Sequence, residues 1–252
     1  MEYIAILAFL LGLPFTYTQL EVKKIENKYP PLGYFKNIDG YNIHYTDIGS
    51  GQPVVLLHSQ PANERQFDLL KNKLKENYRV ISIDRPGMGY SEGPKINSSE
   101  RLFLQAEIIS KLLDEIIDEK PIVVGHSYGG ALALSLALYE EKNIKKLILV
   151  NTVSHPWKGD GVWLPFKIIT NPLIGKIFSQ TYAMIYGKSV IDRSADDNFP
   201  DNKPTPGFVN RVGAELTLRP ASLESYALDA INLKSSLSKQ YKKYKNLSIP
   251  IT

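Results

Sequence analysis

The stretch PIVVGHSYGG, residues 121–130, decides how this chain is read. Its first half, 121–125, is a continuous apolar run of the kind found in strands buried on both faces. From Gly129 to about Tyr139 the sequence turns Ala/Leu-rich, which reads as a helix. Between the two lies Gly125-His126-Ser127-Tyr128-Gly129, a G-x-S-x-G pattern. The bare pentapeptide is a weak signal, and the strand before it with the helix after it is what carries the reading. A serine on such a turn has its hydroxyl pushed out above the strand ends. Glycines two residues to either side let the strand and helix backbones approach without a Cβ between them, and the helix N-terminus favours negative charge developing beside the serine. Ser127 is the candidate nucleophile; the competing reading is an ordinary glycine-rich strand-to-helix turn.

Working outward, segments 34–38 and 41–48 flank Asp39-Gly40, a hairpin signal. PVVLLH (53–58) is a second continuous apolar run, 65–76 has helical spacing through Phe67, Leu70 and Leu74, and YRVISID (78–84) returns to strand. Asn97 with Glu100 three residues on suggests a capping box, opening a helix whose Leu102, Ala106, Ile109, Leu113, Ile116 and Ile117 line one face. KKLILV (145–150) is the next strand. Strands alternating with helices at this pitch predict an α/β fold with a mostly parallel sheet and helices on both faces. From Ser154 the pattern changes: prolines at 156, 165, 172, 200, 204, 206 and 220 break the chain into short pieces, and only 221–233 resembles an ordinary helix. LSIPIT (247–252) reads as the opening of one more buried strand. No internal repeat or low-complexity tract is present.

The 252 residues are 43% hydrophobic and 22% charged, a globular profile that excludes disordered, collagenous and disulfide-stapled classes. The absence of cysteine rules out a thiol nucleophile, an iron–sulfur cluster and thiolate zinc sites. A net charge of +4 spread among acidic residues points away from nucleic acid. At the N-terminus, IAILAFLLGLPF (4–15) is shorter than the roughly 17 to 25 residues that a bilayer span requires, and it lacks the basic flank and cleavage site of a signal peptide. We expect a retained membrane anchor over residues 1–20, a short or tilted helix; Lys23, Lys24 and Lys28 would then keep the rest of the chain on the cytoplasmic face. The alternative is a buried first helix, although nothing nearby in sequence would cover it.

Acyl transfer by a serine needs amide donors for the oxyanion and a base for the hydroxyl proton. Tyr128, following the serine, supplies one N–H; the other should come from the loop after 54–58, which reads His58-Ser59-Gln60-Pro61. At this point VVLLHSQP, DRPGMGYSEG (84–93) and VVGHSYGG (123–130), in that order and spacing, resemble the α/β-hydrolase superfamily. The likeness is to its branch of serine esterases, haloperoxidase-like and C–C-bond hydrolases with H-G-x-P, D-x-P-G-x-G-x-S and G-x-S-x-G, and it spans residues 33–153. The hydrophobic N-terminus followed by KIENKYPPLG also resembles membrane-tethered bacterial members.

The resemblance implies Ser127 as nucleophile, the backbone N–H groups of Gln60 and Tyr128 as the oxyanion hole, and His58 as a structural histidine that moves no proton. Residues 84–91 become a scaffold loop, and His126 flanks the nucleophile without serving as its base. Ser59 stands where the family has glycine, which would strain or re-aim the loop if a glycine-only conformation were needed there. The implied organisation is an anchor over 1–20, an α/β-hydrolase core over 21–153, a helical cap over 154–246, and the start of a further core strand at 247–252. No cofactor or metal is implied, and the oligomeric state is open. Trp157, Trp163, Leu164, Phe166, Ile168, Leu173, Phe178, Tyr182 and Met184 would either line a pocket for a small apolar ester-like substrate or pack the cap on the sheet.

In this fold the partners follow in the order Ser, acid, His. The resemblance places the acid after the strand that LSIPIT begins and the base after one further strand, so the chain reads as C-terminally truncated with the last strands missing. All four histidines, His44, His58, His126 and His155, precede Trp157. His44 lies in the early hairpin. His155 has only Asp160 nearby to orient it, and Asn151, where some relatives carry the acid, is uncharged. Two readings result: a hydrolase acting through an acyl-serine intermediate with an incomplete triad, or a non-catalytic remnant of a truncated or split gene that binds at most a small ligand.

Overall fold

The computed structural model describes residues 2–159, 161–197 and 204–252. A first helix, α1 (Glu2–Lys28), leads into six strands, β1 (Tyr34–Ile38), β2 (Tyr41–Ile48), β3 (Pro53–Leu57), β4 (Arg79–Ile83), β5 (Ile122–His126) and β6 (Lys146–Val150). Between strands lie α2 (Asp68–Leu74), α3 (Arg101–Ile116) and α4 (Tyr128–Glu140). The helical segment that follows holds α5 (Leu164–Ile169), α6 (Gly175–Gln180), α7 (Ala183–Asp197), α8 (Phe208–Arg211) and α9 (Pro220–Gln240).

The sheet order is β1-β2-β4-β3-β5-β6. Strands β4, β3, β5 and β6 run parallel, and the β1–β2 hairpin is added antiparallel at the edge of β4. Asp39 and Gly40 both take positive φ, as a two-residue hairpin turn demands, and Ile38 pairs with Tyr41. Val55, Leu57, Ile81, Ile83 and Val123 bury one face beneath α3, α4 and the end of α9, while Val54, Leu56, Val80 and Val124 pack on the other face with Phe67. Burial on both faces is why these strands read as unbroken apolar runs rather than alternating ones.

Register brings the C-terminal ends of the parallel strands level. Leu57 sits beside both Ile83 and Gly125, and Gly125 beside Leu149. From β3 the chain proceeds to β4 on one side and then to β5 on the other, so the sheet has its topological switch point at β3–β5, where open α/β sheets form their crevice.

Several expectations need correction. The capping box does not form: α3 begins at Arg101, Glu100 gives it no side-chain cap, and the Asn97 carboxamide oxygen accepts instead from Asn232 Nδ2 at 3.0 Å. The helix expected over 221–233 runs on to Gln240. LSIPIT contributes an isolated parallel bridge from Ile251 to Leu147 beside β6, with Ile251 still 44% exposed.

The membrane anchor expected over residues 1–20 is overturned, together with the membrane partner and the cytoplasmic-face placement. Among the described residues no helix is long and apolar enough to cross a membrane. α1 runs on through Pro14 to Lys28, and its second half is bound into the fold. Ile25 and Tyr29 form a cluster with Met184, Leu216 and Leu218, and the buried Thr18 hydroxyl donates to the Thr181 carbonyl at 2.9 Å. Glu21 pairs with Lys188 and Lys24, while Lys28 pairs with Glu215 at 2.6 Å, so two of the three lysines read as an inside signal are held in ion pairs. The cover comes from residues more than 150 positions away, which no local reading supplies.

Candidate active site

Four loops leave the level strand ends at the crevice, and each carries a residue singled out in the sequence. Ser127 follows β5 with φ 53° and ψ −115°, a conformation that costs a non-glycine residue about 1–3 kcal/mol. The strain is held in place from both sides: its N–H donates to the Val150 carbonyl at 3.0 Å, and its own carbonyl accepts from Gly130 N–H at 3.0 Å to start α4. A Cβ on Gly129 would lie 2.6 Å from the His58 carbonyl oxygen, and one on Gly125 would lie 2.6 Å from Gly130 Cα. The turn therefore exists only because both positions are glycine. The Ser127 hydroxyl does not cap the helix it precedes.

His58, directly after β3, is fully buried and has a fixed tautomer. Its Nε2 accepts the Arg85 backbone N–H at 3.0 Å, so the proton is on Nδ1, which donates to the Ser59 carbonyl at 2.8 Å. Burial, reinforced by the neighbouring Arg85 charge, pulls its pKa down to about 3, leaving a neutral ring with both nitrogens occupied. That arrangement is structural.

Ser59 does not adopt positive φ, so the absent glycine strains nothing. Instead, the Ser59 N–H donates to Gln66 Oε1 at 2.8 Å and its hydroxyl accepts from Gln66 Nε2 at 2.9 Å. Gln60 anchors its side chain on the Tyr226 carbonyl of α9 at 2.9 Å. Tyr128 is buried; as the first residue of α4 its N–H lies beyond the reach of any intrahelical acceptor.

Asp84, following β4, is a buried hub. Its carboxylate accepts from the N–H groups of Glu64 and Tyr90, each at 2.8 Å, and from His44 Nδ1 at 2.7 Å. His44 Nε2 faces the Leu32 carbonyl at 2.8 Å, an acceptor only, so both ring nitrogens carry protons. Burial pushes the His44 pKa down, but the Asp84 hydrogen bond and charge outweigh it and the net shift is upward. Burial likewise opposes the Asp84 charge and is outweighed by His44, leaving that carboxyl below its ordinary value.

The histidines are thereby accounted for. His44 is committed to Asp84, and His58 to the loop it braces. His126 Nδ1 accepts from Gln66 Nε2 at 3.2 Å, and burial lowers its pKa. His155 bonds the Ser154 hydroxyl at 2.9 Å and packs against the rings of Tyr241 and Tyr244. Among the described residues no imidazole bonds the Ser127 hydroxyl. Asp160 lies outside the described residues, and Asn151, after β6, adopts φ 44°.

The apolar residues of the helical segment divide. Phe166 and Phe178 pack in one small core with Leu223 and Ala227, and Met184 is buried against Ile25, which is the packing reading. Trp157, Trp163, Leu164 and Leu173 remain exposed.

Sequence reasoning missed the charged cluster that ties the helical segment to these loops. Arg85 and Arg101 are both buried, and both reach Asp229 of α9. Only a buried arginine directly after Asp84 could have hinted at it, and burial is not visible in a sequence.

Residues 52–166 match the family model described as the alpha/beta hydrolase fold. Soluble epoxide hydrolase from Corynebacterium sp. (strain C12) is 30% identical over 135 residues, 53% of this chain and 46% of that protein. The 2-hydroxy-6-oxononadienedioate/2-hydroxy-6-oxononatrienedioate hydrolase of Comamonas testosteroni is 28% identical over 166 residues, 62% of this chain and 58% of that protein. The chain thus spans about half the length of the curated relatives it matches. Among solved structures, the epoxide hydrolase CorEH without ligand aligns with a TM-score of 0.67 at 22% identity, covering 86% of this chain and 79% of that one. The esterase EaEST from Exiguobacterium antarcticum aligns with a TM-score of 0.61 at 26% identity over 87% of this chain and 79% of that one.

Proposed function

Since this chain has the α/β-hydrolase fold, we propose that it acts on a small ester or similar carbonyl substrate through an acyl-serine intermediate, with Ser127 as nucleophile. The observation that carries this reading is the strained Ser127 backbone at the sheet's switch point, with its hydroxyl committed to no cap. The Ser127 oxygen attacks the carbonyl carbon as its proton passes to solvent water, and the N–H groups of Gln60 and Tyr128 receive the oxyanion. Cleavage of the ester C–O bond releases the alcohol, which takes a proton from water, and leaves the acyl-serine. Both lie in one neighbourhood, because the His58 carbonyl crowds Gly129 while Arg85 spans from the Ser59 carbonyl to the face of the Tyr128 ring. Residues 154–246 serve as the cap and 21–153 as the core, and the exposed Trp157, Trp163 and Leu164 are the cap's contribution to binding an apolar acyl or aryl group.

The second reading, a non-catalytic binder of a small apolar ligand, is favoured by one observation: no imidazole among the described residues bonds the Ser127 hydroxyl. Loss of a triad partner lowers turnover by about four orders of magnitude. The 252-residue chain is therefore expected to react with a fluorophosphonate probe at Ser127 slowly, over hours. Labelling that disappears in Ser127→Ala supports the hydrolase reading, whereas a wild-type chain left unlabelled by excess probe sinks it in favour of the binder.

A further inference from the structure

Asp229 is buried in α9, far from Ser127 in sequence, and its carboxylate is shared by Arg85, Arg101 and Gln105, with the Tyr128 side chain hydrogen-bonded to it as well. Arg85 Nη1 reaches one oxygen at 3.1 Å; Arg101 Nε and Gln105 Nε2 reach the other at 2.6 and 2.7 Å. The rest of the Arg85 guanidinium is directed at the loop after β3. Its Nε donates to the His58 carbonyl at 3.0 Å and its Nη2 to the Ser59 carbonyl at 3.3 Å, while its face lies 4.2 Å over the Tyr128 ring. One guanidinium thus touches the Ser59 carbonyl, which shares a peptide with the Gln60 N–H, and the ring of Tyr128, and Asp229 holds it from the far side.

The Ser59 carbonyl matters because of what shares its peptide plane. The Ser59–Gln60 bond is trans, so the carbonyl oxygen of Ser59 and the N–H of Gln60 point in opposite directions from one rigid unit. Fixing the oxygen aims the N–H. Two donors fix it, His58 Nδ1 and Arg85 Nη2, and the His58 tautomer is itself set by the Arg85 backbone N–H. Bonds to that oxygen also polarise the peptide and strengthen the N–H as a donor.

We propose that Asp229 is a positioning residue for the oxyanion-binding peptide: through Arg85 it holds the Ser59 carbonyl and thereby directs the Gln60 N–H toward the carbonyl attacked by Ser127. The role rests on the acyl-serine reading above. Stability alone is a weak reason for such a cluster, since a buried ion pair commonly does no better than well-packed apolar residues of the same size. A forked cation held against a second element does, however, supply what an oxyanion site needs, donors fixed before charge develops. The helical segment would then act on the chemistry as well as cover it, because Asp229 and the Tyr226 carbonyl that anchors Gln60 lie one turn apart on α9.

The test is the fluorophosphonate reaction at Ser127, resolved into KI and the maximal inactivation rate, in wild type, Asp229→Asn and Arg85→Lys. Arg85→Lys keeps a charge facing Asp229 but gives up the fork, so it decides the question if Asp229→Asn does not fold. Asp47→Asn, which breaks the Arg79 ion pair on the hairpin side of the sheet, is the control for a lost ion pair away from the loop. The expected result is an inactivation rate about 10- to 100-fold lower in Asp229→Asn and Arg85→Lys with KI unchanged, and a wild-type rate in Asp47→Asn. Wild-type rates in folded Asp229→Asn or in Arg85→Lys overturn the proposal while leaving the serine reading intact. A wild type that never labels removes the serine reading, and the proposal falls with it.

Discussion

Gly129 shows how much a single missing methyl group decides at this site. The helix that follows Ser127 lies so close to β3 that a Cβ on Gly129 would meet the carbonyls of Leu57 and His58, both backbone and unable to swing aside. Gly129→Ala is expected to destabilise the protein by about 2–3 kcal/mol, despite the better helix propensity of alanine. Gly12→Ala, where the space around the position is open, should be neutral or stabilising by up to about 1 kcal/mol. Urea unfolding of the two variants makes the comparison, and equal midpoints would mean that the helix does not approach the strand this closely. The glycine spacing was legible in the sequence at this scale, but the identity of the colliding atoms was not, because Leu57 is 72 residues away and meets the turn only through strand pairing.

Among the elements, α1 departs furthest from its sequence reading. Its first half displays Phe9, Leu10 and Leu13 at the surface, while its second half is part of the protein interior. The apolar run 4–15 drew attention to the wrong half of the helix. The residues that dock it are Thr18, Glu21, Ile25 and Tyr29, spaced at three to four positions along one face. That spacing was present in the sequence, yet polar residues at two of the four positions hid it. A double comparison tests the docking. Ile25 is 3% exposed and Leu13 is 57% exposed. Ile25→Ala should lower stability by about 2–4 kcal/mol, and Leu13→Ala should stay within about 0.5 kcal/mol of wild type. Equal, small effects would show that α1 is not packed on the helical segment.

For the molecule as a whole, the buried histidines make stability depend on pH in two windows of opposite sign. His58 has a folded pKa of about 3, below the ordinary 6.5, so as pH falls from 6.5 the unfolded chain takes up a proton that the folded chain refuses. Stability is lost through this window at about 1.4 kcal/mol per pH unit. His44 is raised by Asp84, so its contribution is complete below 6.5 and is lost as pH rises through its folded value. The two place the optimum near neutrality. Measured between pH 6.5 and 4.5, the urea midpoint of wild type should fall more steeply than that of His58→Gln, whose carboxamide can replace both hydrogen bonds without titrating. Parallel slopes would mean that His58 accepts a proton in the folded state.

What the sequence by itself determined rests on neighbours along the chain. Strand β5 running into the Ser127 turn, the Asp39-Gly40 hairpin and the apolar strands of a mostly parallel sheet follow from local periodicity and backbone sterics. These act over a few residues and need no partner to be recognised. What only the tertiary structure decided is which distant groups satisfy one another. Thr18 finds the Thr181 carbonyl, Asp84 finds His44, and Asp229 finds Arg85 and Arg101. Leaving a buried charge or hydroxyl without a partner is costly, but the sequence does not say which of many candidates folding will bring within hydrogen-bond reach. That is why Asn97 looked like a helix cap and became a partner of Asn232, and why the hydrophobic N-terminus suggested a bilayer while its far end was already covered by the chain's own helices.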